Sequence, residues 1–214
     1  MWTLYDKYDK ARIATLPRVT FPGRIFVVIS EGEAAKAVDY LLRQPLLGFD
    51  TETKPSFHRG NHNKVALLQV ASIDTCFLFR LCKTGITDDI IRLLEDEKVT
   101  KVGLSLKDDF LQLSHTRPFR HGPFIELQEE VKALGIEDMS LQKLYANLFG
   151  EHISKAQQLS NWEAYVLRDE QQQYAAIDAW ACVRIYQRVQ ELLSNGDYTL
   201  ITTTTDEASD SQAR

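Results

Sequence analysis

Residues 46–53 read LLGFDTET and place two acids at the end of an apolar run. The run follows Pro45 and predicts a short central strand over residues 46–50. Side chains of a strand alternate between its two faces, so Asp50 and Glu52 project from the same face. An Asp50 that caps a turn, followed by a solvated Glu52, would explain the same letters. The stretch therefore indicates either a pair of neighbouring carboxylates or an ordinary strand end.

Outward from this strand, hydrophobic periodicity predicts an α/β protein. Predicted strands cover residues 24–30, 65–71, 76–81, 99–104 and 124–127, and predicted helices cover residues 31–44, 88–95, 107–114, 141–149 and 170–193. Strands come mostly first and helices dominate later, which favours a mixed central β-sheet flanked by helices. Neither GxGxxG nor GxxxxGK[ST] occurs, so dinucleotide-binding and P-loop functions have no support.

Length and composition are typical of one globular domain. The chain has 214 residues, 44% of them hydrophobic, and we expect a domain over residues 1–195 and a disordered polar tail over residues 196–214. There is no membrane-length apolar run, no secretion signal, and an odd number of cysteines without a CxxC pair. We therefore expect a reduced, cytoplasmic protein with no membrane contact and no disulfide-linked partner. The net charge of −5 argues against coating of nucleic acid but permits a grip on a few phosphates.

Two further acids fall on apolar helix faces. Asp178 shares the apolar stripe of the last predicted helix, with Tyr174 one turn earlier on the same side. Asp109 shares the inward face of the predicted helix over residues 107–114, whereas Asp108 points elsewhere. An edge position or a backbone hydrogen bond would explain Asp178, and two surface acids near a helix start would explain the other pair.

Four converging carboxylates favour a metal site over these separate explanations. Without a cation they would repel one another, and some would have to bind protons. Mg²⁺ prefers carboxylate oxygens together with waters and substrate phosphates. Two such ions about 4 Å apart can hold the attacking and leaving oxygens of a phosphoryl displacement. The pattern therefore suits phosphodiester chemistry.

Three stretches resemble the exonuclease motifs of the DEDD superfamily of 3′–5′ exonucleases. They are FDTE at residues 49–52, VGLSLKDD at residues 102–109 and YAAIDAW at residues 174–180. The YxxxD form of the third motif is typical of the tyrosine subgroup, to which ribonuclease D and the exonuclease domain of the Werner syndrome protein are assigned. The resemblance covers residues 23–193 and implies a ribonuclease H-like fold, with Asp50 and Glu52 on a middle strand.

The resemblance also implies roles for five residues. Asp50, Glu52 and Asp178 would ligate the metal that activates water; Asp50 would bridge to a second metal, which Asp109 would also hold. Tyr174 would orient the attacking water rather than act as a free base, since an unperturbed phenol titrates near ~10. The implied activity, with two Mg²⁺ or Mn²⁺ ions, is hydrolysis of the terminal phosphodiester at a DNA or RNA 3′ end, releasing nucleoside 5′-monophosphates.

Substrate contacts are expected just after the first motif. Residues 54–64 contain no acid and follow the catalytic strand, so their basic side chains could contact phosphates, although a solvated loop tip is the alternative. The candidate substrate-binding residues are Thr51, Lys54, Arg59 and Lys64. A second acid-free stretch, residues 111–125, is a further candidate for backbone contacts.

Two other functions fit parts of the pattern. A catalytically weak pseudo-exonuclease could act as a nucleic-acid-binding or scaffolding module, but such a module does not need all four acids and the tyrosine. A glycosidase could use a carboxyl pair about 5–9 Å apart. That function would leave Asp109, Asp178 and Tyr174 unexplained.

Overall fold

The computed structural model describes residues 1–55 and 63–203. Its strands are β1 (Trp2–Tyr5), β2 (Arg24–Val28), β3 (Leu46–Thr53), β4 (Val65–Ala71), β5 (Thr75–Phe79), β6 (Thr100–Gly103), β7 (Phe124–Glu126) and β8 (Tyr198–Ile201). Its helices are α1 (Lys10–Ile13), α2 (Glu31–Leu41), α3 (Leu81–Thr84), α4 (Asp88–Glu95), α5 (Leu106–Thr116), α6 (Leu127–Glu130), α7 (Leu141–Phe149) and α8 (Asp169–Asn195), with a 3₁₀ turn at Val131–Leu134.

A six-stranded mixed sheet forms the centre of the fold, in the order β2-β5-β4-β3-β6-β7. Strand β4 runs antiparallel to β3 and β5, and the remaining neighbours are parallel. Strand β3, which carries Asp50 and Glu52, lies in the interior of the sheet. The predicted α/β class, with a mixed sheet flanked by helices, is confirmed.

Both faces of the sheet are covered, and each face has its own hydrophobic core. Helices α7 and α8 supply one core, and α2, α4 and α5 supply the other. Every residue of β4 is therefore buried, which explains why its sequence, VALLQVA, is almost continuously apolar.

Gly48 allows α8 to lie directly on β3. A Cβ atom at this position would be 1.9 Å from the carbonyl oxygen of Ala179 and 3.0 Å from a methyl of Val183. No residue with a side chain fits such a close approach of two backbones. The contact puts Asp178, the neighbour of Ala179, beside the strand that carries Asp50.

Three predicted strands differ from the observed ones at their ends or in their burial. Residues 24–30 were expected to form a buried strand, but β2 is an edge strand in which Phe26 is 44% exposed, because only β5 pairs with it. Strand β3 continues beyond Asp50 to Thr53, with a shift of register against β4 after Glu52. Strand β5 ends at Phe79, since Leu81 already begins α3.

Strands β1 and β8 form a second, two-stranded sheet. Strand β8 pairs in parallel with β1, with Tyr198 opposite Trp2. Thr203 follows β8 and donates hydrogen bonds from its backbone N–H and its hydroxyl to Asp6. Residues 198–203, inside the range expected to be a disordered tail, are therefore held by strand pairing and side-chain contacts. Residues 204–214 lie outside the described residues.

Two sequence-based exclusions can be compared with the structure. Across residues 1–55 and 63–203, no helix has both the length and the apolar character needed to cross a bilayer. The three cysteines are unpaired: Cys76 and Cys182 are buried, and Cys82 is exposed.

Candidate active site

Strand β3 and helix α8 bring three carboxylates together. Asp50, Glu52 and Asp178 each offer an oxygen within 4.8 Å of the others. The first two project from one face of β3, as strand alternation predicts. Asp178 is only 4% exposed, and its Oδ1 atom has no hydrogen-bond partner among the described residues. A buried carboxylate oxygen without a donor is costly unless a cation balances it, so this group fits a hard divalent cation.

The carboxylates strongly perturb one another's protonation. Burial, followed by repulsion from the other acids, raises the pKa of Glu52 to about 9 and that of Asp50 well above its usual range. Burial also raises the pKa of Asp178 to about 7, although the Tyr174 hydroxyl and the Lys155 ammonium act in the opposite direction. In the absence of a cation the group therefore holds protons at neutral pH. Cation binding displaces such protons.

Asp109 lies on α5, which packs against β3. Its carboxylate accepts a hydrogen bond from the hydroxyl of Thr51, and burial raises its pKa to about 6. It is not part of the three-carboxylate group, but Thr51 links it to the strand segment between Asp50 and Glu52. Asp108 is exposed, as predicted. Thr51, expected to bind substrate, thus has a contact that positions Asp109.

Glu126 holds the start of α5. Sequence patterns did not predict this contact. Its two carboxylate oxygens accept hydrogen bonds from the backbone N–H groups of Ser105 and Leu106, each at 2.9 Å. These are first-turn amides that have no partner within the helix, and a carboxylate is favourable at this end of the helix dipole. Ser105 has a φ of 61°, a left-handed conformation that this contact helps to hold. Glu126 therefore fixes the helix that carries Asp109.

Tyr174 and Trp162 close one side of the site. Tyr174 is 6% exposed, and burial together with the nearby carboxylates raises the pKa of its phenol, so it stays protonated. The ring of Trp162 is fully buried 6.0 Å from the Tyr174 ring, so it packs beside the part of α8 that carries the site. Its indole N–H approaches Glu52 closely enough to lower the pKa of that carboxyl, without an ordinary hydrogen bond. Sequence reasoning missed this second contact.

Arg80 supports the loop that carries Trp162. Its side chain is 1% exposed and donates hydrogen bonds to the carbonyl oxygens of Trp162 and Ala164. No carboxylate in the described part of the chain pairs with this arginine. Its role is therefore to hold this loop through backbone carbonyls.

The basic residues predicted to bind phosphates, where they are described, do not line the cavity that contains the carboxylates. Lys54 forms an ion pair with Glu163 at 3.2 Å, and Lys64 lines a cavity that also contains Glu163. Arg59 lies outside the described residues. From the second acid-free stretch, Arg117 is paired with Asp88. Neither stretch supplies a described cation to the carboxylate cavity.

The carboxylate cavity has a volume of about 390 Å³. Besides the three acids and Tyr174, its lining includes Ser140, Gln142, Lys155 and Gln158. Lys155 and Gln158 come from the polar loop between α7 and α8, where a single lysine gives no periodic signal in the sequence. The cavity is within the usual size range of small-molecule and nucleotide sites.

The raised pKa values predict how pH affects the metal-free protein. Between the ordinary carboxyl pKa near ~4 and the folded values, the native state holds protons that the unfolded chain has released. The free energy of unfolding in EDTA should therefore fall as pH rises from about 5, through the range near 7 for Asp178, towards about 9 for Glu52. Melting temperatures measured across this range should decline, and Glu52→Gln should flatten the upper part. A wild-type melting temperature that rises from pH 5 to 9 would contradict these shifts.

The region that contains this site is similar to known proteins. Residues 25–194 match the family model described as 3′–5′ exonuclease. The mouse bifunctional 3′–5′ exonuclease/ATP-dependent helicase WRN is 28% identical over 187 residues, which cover 83% of this chain and 13% of WRN. Ribonuclease D of Gluconacetobacter diazotrophicus is 30% identical over 188 residues, covering 85% of this chain and 46% of the enzyme. The chain thus spans less than half the length of these two relatives.

The fold is also found in solved structures. The exonuclease domain of Aedes aegypti Nibbler superposes with a TM-score of 0.73 at 22% identity, covering 86% of this chain and 94% of that domain. This likeness confirms the predicted ribonuclease H-like arrangement at the level of the fold. The family match also confirms that residues 49–52, 102–109 and 174–180 resemble the motifs of 3′–5′ exonucleases.

Proposed function

This chain belongs to the 3′–5′ exonuclease family, and we propose that it removes nucleotides one at a time from the 3′ end of a DNA or RNA strand, using two divalent cations. The observation that carries the proposal is the group of Asp50, Glu52 and Asp178, in which one oxygen of the buried Asp178 has no donor among the described residues. Three acids at this spacing, two half-buried and one buried, are unfavourable in the protein alone, because like charges repel one another. They become favourable when cations occupy the site.

The proposed ligand sets are those that the resemblance to the DEDD exonucleases implies. Asp50, Glu52 and Asp178 would hold one Mg²⁺ or Mn²⁺ ion, and Asp50 and Asp109 would hold the other. Bound cations of this kind activate water and neutralise the charge that develops on a phosphoryl group. Thr51 and Glu126 act as positioning residues, since one contacts Asp109 and the other fixes the start of its helix.

The proposed reaction is an in-line displacement at the terminal phosphodiester. The oxygen of a water molecule forms a bond to phosphorus, and the bond from phosphorus to the 3′ oxygen of the preceding nucleotide breaks. The water gives up a proton, and the leaving 3′ oxygen gains one. The products are a nucleoside 5′-monophosphate and a strand that is one nucleotide shorter, with a free 3′ hydroxyl.

Tyr174 orients the attacking water through its hydroxyl group. Because the pKa of this phenol is raised, the tyrosine remains protonated at neutral pH and does not take the proton. The hydroxyl lies on α8 one turn before Asp178, so water held by it is also next to the carboxylates. This role would assign the chain to the tyrosine subgroup of the DEDD exonucleases.

A labelled-strand assay tests the proposal. With 5′-labelled single-stranded DNA and RNA, we expect a ladder that shortens from the 3′ end in Mn²⁺ or Mg²⁺ and is absent in EDTA. Tyr174→Phe should lower kcat about 10- to 100-fold with little change in KM, because the carboxylates and the cavity remain. Tyr165→Phe, at a side chain that is 86% exposed, is the matched control. Cleavage that persists in EDTA, or a Tyr174→Phe variant as fast as Tyr165→Phe, would contradict this mechanism.

A further inference from the structure

A second cavity adjoins the carboxylate cavity. It has a volume of about 490 Å³ and lies between α1 and the loop that follows α7. Ser140, Gln142 and Lys155 line both cavities, so the two are neighbours. We refer to the second cavity, whose other lining residues include Lys10 and His152, as the α1 groove.

The α1 groove is basic in a chain whose net charge is −5. Lys10, Lys143 and Lys155 line it, and none of its lining residues is an acid. Lys143 is paired with Asp138 at 2.7 Å, but neither Lys10 nor Lys155 forms a salt bridge within residues 1–55 and 63–203. Both unpaired lysines are exposed. The groove therefore offers two available cations on an otherwise acidic protein.

The lining also limits what the groove can recognise. Apart from His152 it contains no aromatic side chain, and its apolar part consists of small or aliphatic residues such as Ile13 and Ile153. Base recognition on single strands relies on aromatic stacking and on hydrogen bonds to base edges. With His152 as its one aromatic ring, the groove offers little stacking, and its lysines are suited to phosphates, which they contact independently of sequence.

We propose that the α1 groove binds the sugar–phosphate backbone of the substrate strand on the 5′ side of the scissile bond. This inference rests on the proposed function, in which the 3′-terminal nucleotide occupies the carboxylate cavity. The strand must then leave that cavity, and the α1 groove adjoins it and carries the charge that phosphates require. Lys155 lies at the junction and contacts the backbone nearest the scissile bond. Lys10, at the start of α1, contacts a phosphate further upstream.

The expected result is an affinity that depends on strand length. Fluorescence anisotropy in Ca²⁺, with probe integrity checked on a gel, compares a 5′-labelled dinucleotide with an octanucleotide. The octanucleotide should bind at least about tenfold more tightly, since only it reaches the α1 groove. Lys10→Ala should weaken octanucleotide binding about 3- to 10-fold and leave dinucleotide binding unchanged. It should also reduce the slope of log Kd against log salt concentration by about 0.7, the value for one lost phosphate contact on a single strand.

The matched control is Lys36→Ala. Lys36 is also an exposed lysine, but it lies on α2, which packs on the opposite face of the sheet from α7 and α8. Lys10 is the exposed first residue of a short helix whose cap is Asp9, so its truncation should not affect folding. Equal wild-type affinities for the two probes, no binding of the octanucleotide, or equal effects of the two substitutions would overturn the proposal.

The two proposals can fail separately. Length-dependent binding that is lost in Lys10→Ala, without 3′ shortening in Mn²⁺, would uphold the groove and overturn the proposed nuclease function. Shortening from the 3′ end at the same rate and KM for wild type and Lys10→Ala on the octanucleotide would uphold the function and overturn the groove.

Discussion

We expect Asp50→Asn to lower kcat/KM for 3′-end hydrolysis at least about 10³-fold, a loss of roughly 4 kcal/mol of transition-state stabilisation. The substitution keeps the size of the side chain and removes one charge from the group formed with Glu52 and Asp178. In the proposed mechanism Asp50 ligates both cations, so neither is held correctly without its carboxylate. Asp108→Asn is the matched control, since this neighbouring acid on α5 is exposed and has no proposed role.

The same substitution should raise the stability of the metal-free protein, although it lowers activity. In EDTA near pH 8, Asp50→Asn should melt at a higher temperature than wild type, because burial and the adjacent acids disfavour the charged form of Asp50. Addition of Mn²⁺ at about 100 times its dissociation constant should raise the wild-type melting temperature by about 5–10 °C. The variant should show little of this rise. An equal rise in both proteins would place the metal elsewhere.

The carboxylate group could be predicted from the sequence because each acid violates a simple pattern. Asp50 and Glu52 end an apolar strand two residues apart, and Asp178 interrupts the apolar stripe of a long helix. Both patterns depend only on local periodicity, which strands and helices impose regardless of tertiary context. The structure brings these three acids to within 4.8 Å of one another.

Contacts between distant segments could not be predicted in the same way. Glu126 caps a helix that begins 20 residues before it, and Arg80 holds a loop more than 80 residues away through backbone carbonyls. Neither residue disturbs a hydrophobic pattern. The order of the strands likewise depends on contacts between distant segments. The sequence of β2 is typical of a buried strand, but β2 lies at the edge of the sheet because β5 is its one neighbour there.

The predicted substrate residues illustrate a further limit. Basic residues in an acid-free loop suggest phosphate contacts, but the fold decides which groups lie near them. Lys54, for example, forms an ion pair with Glu163. Lys155 is inconspicuous in the sequence, yet the loop after α7 brings it to the carboxylate cavity. Phosphate binding by these loop residues stays a prediction, whereas the positions of Lys54 and Lys155 depend on loop packing.

Gly48→Ala should be the most destabilising single-methyl change at the site, at least ~3 kcal/mol in the free energy of unfolding. The new methyl would lie 1.9 Å from the Ala179 carbonyl oxygen and 2.9 Å from its carbonyl carbon, both backbone atoms that cannot rotate away. Helix α8 must then move off β3, and this separates Asp178 from Asp50. Urea denaturation with an unchanged m value would measure the loss, and 3′-end hydrolysis should fall with it.

Gly32→Ala provides the matched control for that experiment. Gly32 lies in the first turn of α2, and nothing is within 4 Å of the position that its Cβ would occupy. The same added methyl should therefore stabilise the protein by up to ~1 kcal/mol through helix propensity. The free energy of unfolding should therefore fall in Gly48→Ala and rise in Gly32→Ala. This difference would show that the loss comes from the contact between β3 and α8 and not from a general effect of glycine on the unfolded chain. If Gly48→Ala were neutral, with full Mn²⁺-dependent stabilisation, the close approach of strand and helix could not be what positions Asp178.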